Sequence, residues 1–151
     1  MKILVLIHVL SAIIGVGPTY FGLSLLNAGN TPKDLQSILK LGKRLEMFPK
    51  IGGTLAVLSG LALILLANYG PFTQIWLLGS LVLYILIQAI VIGFVAPKTG
   101  LLANWVFDPQ NASASTLPDE QQGLLKNIRL GHVLAAALGT VLFALMVLKP
   151  H

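Results

Sequence analysis

Apolar residues fill four long runs, 3–26, 48–67, 75–96 and 124–148, and polar residues interrupt them only at short, well-separated places. A hydrocarbon core of about 30 Å is crossed by roughly 20 helical residues. Each run is long enough, and the pattern predicts an all-α, four-transmembrane-helix bundle in which residues 1–151 form one integral membrane domain. The first run resembles a signal peptide at its start. It continues past Gly15 and Gly17 to Leu26 without a polar cleavage region, so it reads as a retained span.

Between the first two runs the period changes. Thr31-Pro32-Lys33-Asp34 has the form of a helix start, with Pro32 just inside a Thr31 cap. Leu35, Ile38, Leu39, Leu41 and Leu45 then recur near helical spacing, with Lys40, Lys43 and Arg44 between them. This predicts a short amphipathic helix on the cytoplasmic side, resting on lipid and leading into span two. Residues 101–123 are the one long polar stretch. Trp105 and Phe107 there suit a membrane interface, and 111–119 has the composition of a loop.

Composition agrees: 56% of the 151 residues are hydrophobic and 10% charged, against about a quarter charged in soluble domains. Cysteine is absent, which excludes disulfides, thiolate metal sites and cysteine nucleophiles. A formal net charge of +5 fits loops facing a leaflet of anionic lipid better than nucleic acid, since no soluble basic domain exists to hold the latter. Its distribution predicts orientation. Lys33, Lys40, Lys43, Arg44 and Lys50 lie between spans one and two, and Lys98, Lys126 and Arg129 between spans three and four. The turn at 68–74 has no basic residue, and each end of the chain has one, Lys2 and Lys149. Basic loops stay in the cytoplasm. The expected location is a bacterial plasma (inner) membrane, multi-pass, with both termini and the 68–74 turn outside.

Small residues set the expected packing. Gly52, Ala56 and Gly60 in span two, and Gly131, Ala135 and Gly139 in span four, repeat every four residues, which places each set on one helix face where backbones approach closely. Ser11 and Gly15 offer the same in span one. Pro18 removes a backbone hydrogen bond and predicts a kink near Ile14.

Few intramembrane residues carry chemistry. His8 lies in span one, Ser80, Tyr84 and Gln88 form a stripe along span three, and His132 lies in span four. The histidines share a motif, His-Val-Leu-x-Ala-x-x-Gly, at 8–15 and 132–139. Neutral imidazole is a common iron ligand, so each is a candidate for haem b. Helical rise puts His8 about 8 Å below the outer boundary and His132 about 12 Å above the inner one, some 10 Å apart in depth. That disfavours one iron held by both. The alternatives are hydrogen bonds: His132 to Gln88 at similar depth, and His8 to Ser80 or water. No phosphate loop, nucleophile elbow, zinc motif or mid-span charge is present, which weighs against an enzyme, a proton pump or an ion-coupled transporter. At the inner rim Lys43, Arg44, Lys50, Lys98, Lys126 and Arg129 are expected to hold anionic lipid headgroups, Arg129 first among them because a guanidinium binds phosphate bidentately.

The first span, Leu6-Ile7-His8-Val9-Leu10-Ser11-Ala12-Ile13-Ile14-Gly15-Val16-Gly17, resembles that of bacterial predicted integral membrane proteins of domain-of-unknown-function family 2269. The four spans, the basic first loop and Leu130-Gly131-His132 extend the likeness over most of the chain. That resemblance implies the fold and no activity. The first-span pattern is also similar to copper-resistance D proteins and membrane protoporphyrinogen oxidases, which would imply copper or haem at His8. The chain lacks the Met- and His-rich patches that copper calls for and an obvious second haem ligand. The leading reading is a non-catalytic membrane subunit or scaffold, packing against itself or a larger membrane complex. The alternative is a haem-b-binding redox protein using His8 or His132, with quinone as its partner.

Overall fold

A computed structural model describes residues 1–66 and 73–150, all of them helical or in connecting turns. The helices are α1 (Lys2–Ala28), α2 (Pro32–Leu45), α3 (Met47–Leu66), α4 (Ile75–Gln88), α5 (Ala96–Val106) and α6 (Asp119–Leu148). A π-helical segment, Ala89–Val95, joins α4 to α5, and a 3-10 turn at Pro109–Asn111 follows α5. Four stretches are long and apolar enough to cross a membrane: Lys2–Ala28, Pro32–Leu66, Ile75–Val106 and Asp119–Leu148. Most of the expected outer turn, 68–74, and the last residue of span two, 67, lie outside the described residues.

The hairpin of α1 and α3 is held at the level of the backbone. A Cβ placed on Gly52 would lie 2.6 Å from the Gly15 nitrogen and 2.9 Å from the Ser11 carbonyl oxygen. In lipid, apolar side chains gain nothing by leaving one another's company for a tail, so close backbone approach is what joins helices. On its other side α1 packs antiparallel to α6. There a Cβ on Gly139 would lie 3.1 Å from Val16. A second pair, α4 and α6, closes around Ile87, Ala135 and Leu142. Despite Pro18, α1 is one continuous helix.

The third span runs ten residues past the expected end at 96. Pro97 has no N–H, and its ring crowds the carbonyl four residues back, which normally ends a helix. The π segment removes the conflict. The Ala96 N–H bonds the Val91 carbonyl, five residues back, and the widened spiral gives the Pro97 ring room. So α5 forms out of residues with a loop-like sequence.

This extension creates a layer beyond the spans. Only Glu46, itself in helical conformation, separates α2 from α3, so α2 prolongs the second span as α5 prolongs the third. The first turns of α6 join them. Leu35, Leu102 and Ile128, each at most 1% exposed, meet there with Val106, Leu117 and Leu125. With Val106, the first three are the largest fully buried side chains among the described residues. The expectation that Leu35, Ile38 and Leu39 rest on lipid is therefore corrected. They pack on α5 and α6, and Gln36 adds a 3.0 Å hydrogen bond to the Val106 carbonyl. The helix begins as its sequence predicts, with Thr31 and Asp34 forming a reciprocal capping box. Gly29 allows the close return, since a Cβ there would strike Ile38.

Candidate functional site: the intramembrane histidines and the inner rim

His8 faces α3. Its Nδ1 lies 2.9 Å from the Ala56 carbonyl oxygen and 3.2 Å from the Ser59 hydroxyl. A carbonyl only accepts, so Nδ1 carries the proton and Nε2 keeps its lone pair. No described residue bonds that lone pair. The ring fills the notch at Gly60, where a Cβ would lie 3.0 Å from Cε1. The expected partner, Ser80, is elsewhere: it is buried on α4 and donates to the Trp76 carbonyl of its own helix.

His132 faces α1, one turn beyond Arg129. Its ring rests on Gly22, where a Cβ would lie 3.2 Å from Cε1. Its Nδ1 is buried without a hydrogen-bond partner among the described residues. The expected bond to Gln88 is not made, because α6 turns Ala135 and Leu142 toward α4 and His132 toward α1.

The shared motif has a packing explanation. In the first copy His8 meets Gly60, and seven residues on Gly15 meets Gly52. In the second, His132 meets Gly22, and seven residues on Gly139 meets Val16. Each copy is one antiparallel helix contact, with imidazole filling a glycine notch at one end and glycine admitting its neighbour at the other. The two rings touch α1 or stand on it fourteen residues apart, at His8 and Gly22, which is about 21 Å of helix. One iron between them is excluded. Among the described residues no three His, Cys, Asp or Glu side chains come together.

The polar stripe of α4 does not converge on either histidine. Tyr84 points its hydroxyl to α3, 3.6 Å from where a Gly53 Cβ would lie. A polar contact that the sequence reading omits is Tyr20, whose hydroxyl lies 2.8 Å from Thr140 Oγ1 and 3.2 Å from the Ala136 carbonyl. Its signal was available as two hydroxyls in facing spans.

At the rim expected to face inward the six basic residues separate into different roles. Arg129 caps the C-terminus of α1. Nε and Nη2 donate to the Leu26 carbonyl at 3.1 and 2.7 Å, and Nη2 also reaches the Gly29 carbonyl at 2.9 Å and Asn30 Oδ1 at 3.1 Å. The Leu26 carbonyl otherwise takes only a long 3.4 Å bond from the Gly29 N–H, and a cation there also meets the negative end of the helix dipole. Lys50 pairs with Glu46 at 3.1 Å. Lys98 lies 3.8 Å above the Phe94 ring. Lys43, Arg44 and Lys126 are exposed. Of the bidentate phosphate grip expected of Arg129, the Nε–Nη2 edge is closed, because the end of α1 occupies it.

Over residues 2–150 the chain matches the family described as Predicted integral membrane protein (DUF2269). It belongs to that family. No curated protein and no solved structure matches it. Membership accords with the four spans and brings no activity, so the functional reading rests on the geometry of this DUF2269 chain.

Proposed function

We propose that the protein is a non-catalytic membrane subunit or scaffold, set in a bacterial plasma membrane with both termini outside. The observation that carries the reading is α1. It is the helix that joins α3 to α6, yet only 6% of its most apolar stretch is buried, against 28% in α6. Ile3, Leu6, Ile13 and Phe21 stand 53–75% exposed along it. A central helix this open takes its remaining contacts from lipid or from another membrane chain, a second copy included. With no native cysteine, Ile13→Cys and Phe21→Cys give clean oxidative cross-linking in native membranes. The expected result is a linked pair of copies or a defined larger adduct. A monomer in lipid nanodiscs that cross-links at neither position refutes the reading. Orientation is supported by eight basic residues in α2, the first turn of α3, α5 and early α6 against Lys2 and Lys149 at the other end. Ser37→Cys in α2 should be unreactive to an impermeant thiol reagent added to intact cells.

One observation favours a second reading, haem b at His8. The Ala56 carbonyl orients the ring through Nδ1 and leaves Nε2 as the free donor, the arrangement that prepares an imidazole for a metal. His132 has neither the orienting bond nor proximity to His8. Haem would supply one-electron chemistry, and His8 would supply one axial nitrogen. A Soret band in purified protein that is lost in His8→Ala and kept in His132→Ala supports this reading over the first; a colourless preparation from haem-replete cells rejects it.

A further inference from the structure

We propose that Arg129 and Lys126 form a binding site for the phosphate of one anionic phospholipid at the inner rim, independent of the scaffold reading. Four oxygen contacts hold Nε and Nη2 of Arg129 against the end of α1. The two donors on Nη1 have no partner among the described residues. The guanidinium plane is thus already fixed, so an oxyanion meeting the Nη1 edge does not have to order the side chain. No carboxylate neutralises the charge: among the described residues the one ion pair is Lys50 with Glu46. The α1 dipole offsets it only in part, with about half a unit of negative charge. Lys126 stands one turn nearer water on the same face of α6, exposed and without hydrogen bond or ion pair among the described residues. Depth identifies the ligand. Arg129 lies where α1 ends and the chain turns at Gly29 and Asn30, the level at which a span leaves the hydrocarbon and meets headgroups. A phosphodiester there takes one or two bonds from Nη1 and the Lys126 ammonium above it. Lys43 and Arg44, exposed on α2 with no fixed neighbour, do not belong to the site.

The test is native mass spectrometry of the purified protein after exchange into detergent with phosphatidylglycerol or phosphatidylcholine. Wild type should retain one phosphatidylglycerol under conditions that strip phosphatidylcholine. Lys126→Gln should lower that retention roughly five-fold, as expected for one basic group at a headgroup. It leaves the α1 cap untouched, so loss of fold does not cloud it. Arg129→Lys, which keeps the charge and loses the fork, should lower it as well, while the double variant Lys43→Gln/Arg44→Gln should not. An excess of inorganic phosphate should fail to displace the lipid; displacement would reassign the site to soluble phosphate. Equal retention in wild type and Lys126→Gln, or equal retention of the two lipids, overturns the proposal.

Discussion

Gly52→Ala tests the packing argument most directly. A Cβ at position 52 would lie 2.6 Å from the Gly15 nitrogen, 2.9 Å from its Cα and 2.9 Å from the Ser11 carbonyl oxygen. All three are backbone atoms of α1, so no side-chain rotation relieves them. Reaching ordinary contact requires the helices to part by roughly 1 Å along that line, which loosens the whole α1–α3 seam. Overpacking of this kind costs about 1–3 kcal/mol. Alanine also gains up to about 1 kcal/mol over glycine in a helix, so a reference is needed. Gly17→Ala supplies it: the site is on α1 itself and has nothing within 4 Å of the added carbon. The difference between the two variants isolates packing and should be about 2 kcal/mol, ~30-fold in the unfolding equilibrium constant. Denaturation by SDS in mixed micelles, followed by circular dichroism, measures it. Gly15→Ala should behave like Gly52→Ala, and the double variant should cost less than the sum, since both remove the same close approach. If Gly52→Ala proves as stable as Gly17→Ala, backbone contact does not hold this hairpin.

Gly60→Ala should destabilise by about 1 kcal/mol, and the loss should vanish in a His8→Ala background, because the three atoms nearest the added carbon all belong to the imidazole. Arg129→Leu should cost about 1.5 kcal/mol, the low end for hydrogen bonds to a charged group because the site is half-exposed, with faster amide exchange at residues 26–30. The hydrogen bond from the Thr31 hydroxyl holds the Asp34 carboxyl below its usual 3.8. A lowered carboxylate pKa means stability present above the unfolded value and lost as pH falls through the folded one. Amide protection at the start of α2 should therefore persist at neutral pH, fall as acid takes the solution below 3.8, and lose this pH dependence in Asp34→Asn. Gly42→Ala, on the open face of α2, should stabilise by about 0.5–1 kcal/mol; a loss instead would show that the exposed face of α2 is a contact surface.

Span number, the Thr31 cap and the small-residue faces are legible in the chain, because each depends on local spacing: about twenty apolar residues cross a bilayer whatever they touch. Helical rise separated His8 from His132 by about 10 Å, about half of the roughly 21 Å that the fold puts between their places along α1. Their partners were not legible. Helical rise places a residue along the membrane normal but says nothing of which neighbour its face meets, so the level expected to be common to Gln88 and His132 did not predict a contact. Hidden as well was α5. Pro97 and Gly100 look like the end of a helix, and only the π segment, whose Ala96 to Val91 bond belongs to the folded ladder, carries the helix through them.

The rim shows the same division. Sequence alone collects six basic side chains on one side of the membrane, since charge bias along a chain needs no partner to be read. Tertiary structure assigns three of them, Arg129 to the end of α1, Lys98 to Phe94 and Lys50 to Glu46, and leaves Lys43, Arg44 and Lys126 exposed. The chain's own pattern determined that it crosses a bilayer four times. The pairing of α1 with α3 and α6, and therefore which polar atoms are spent within the fold and which remain to bind something else, was decided where the helices meet.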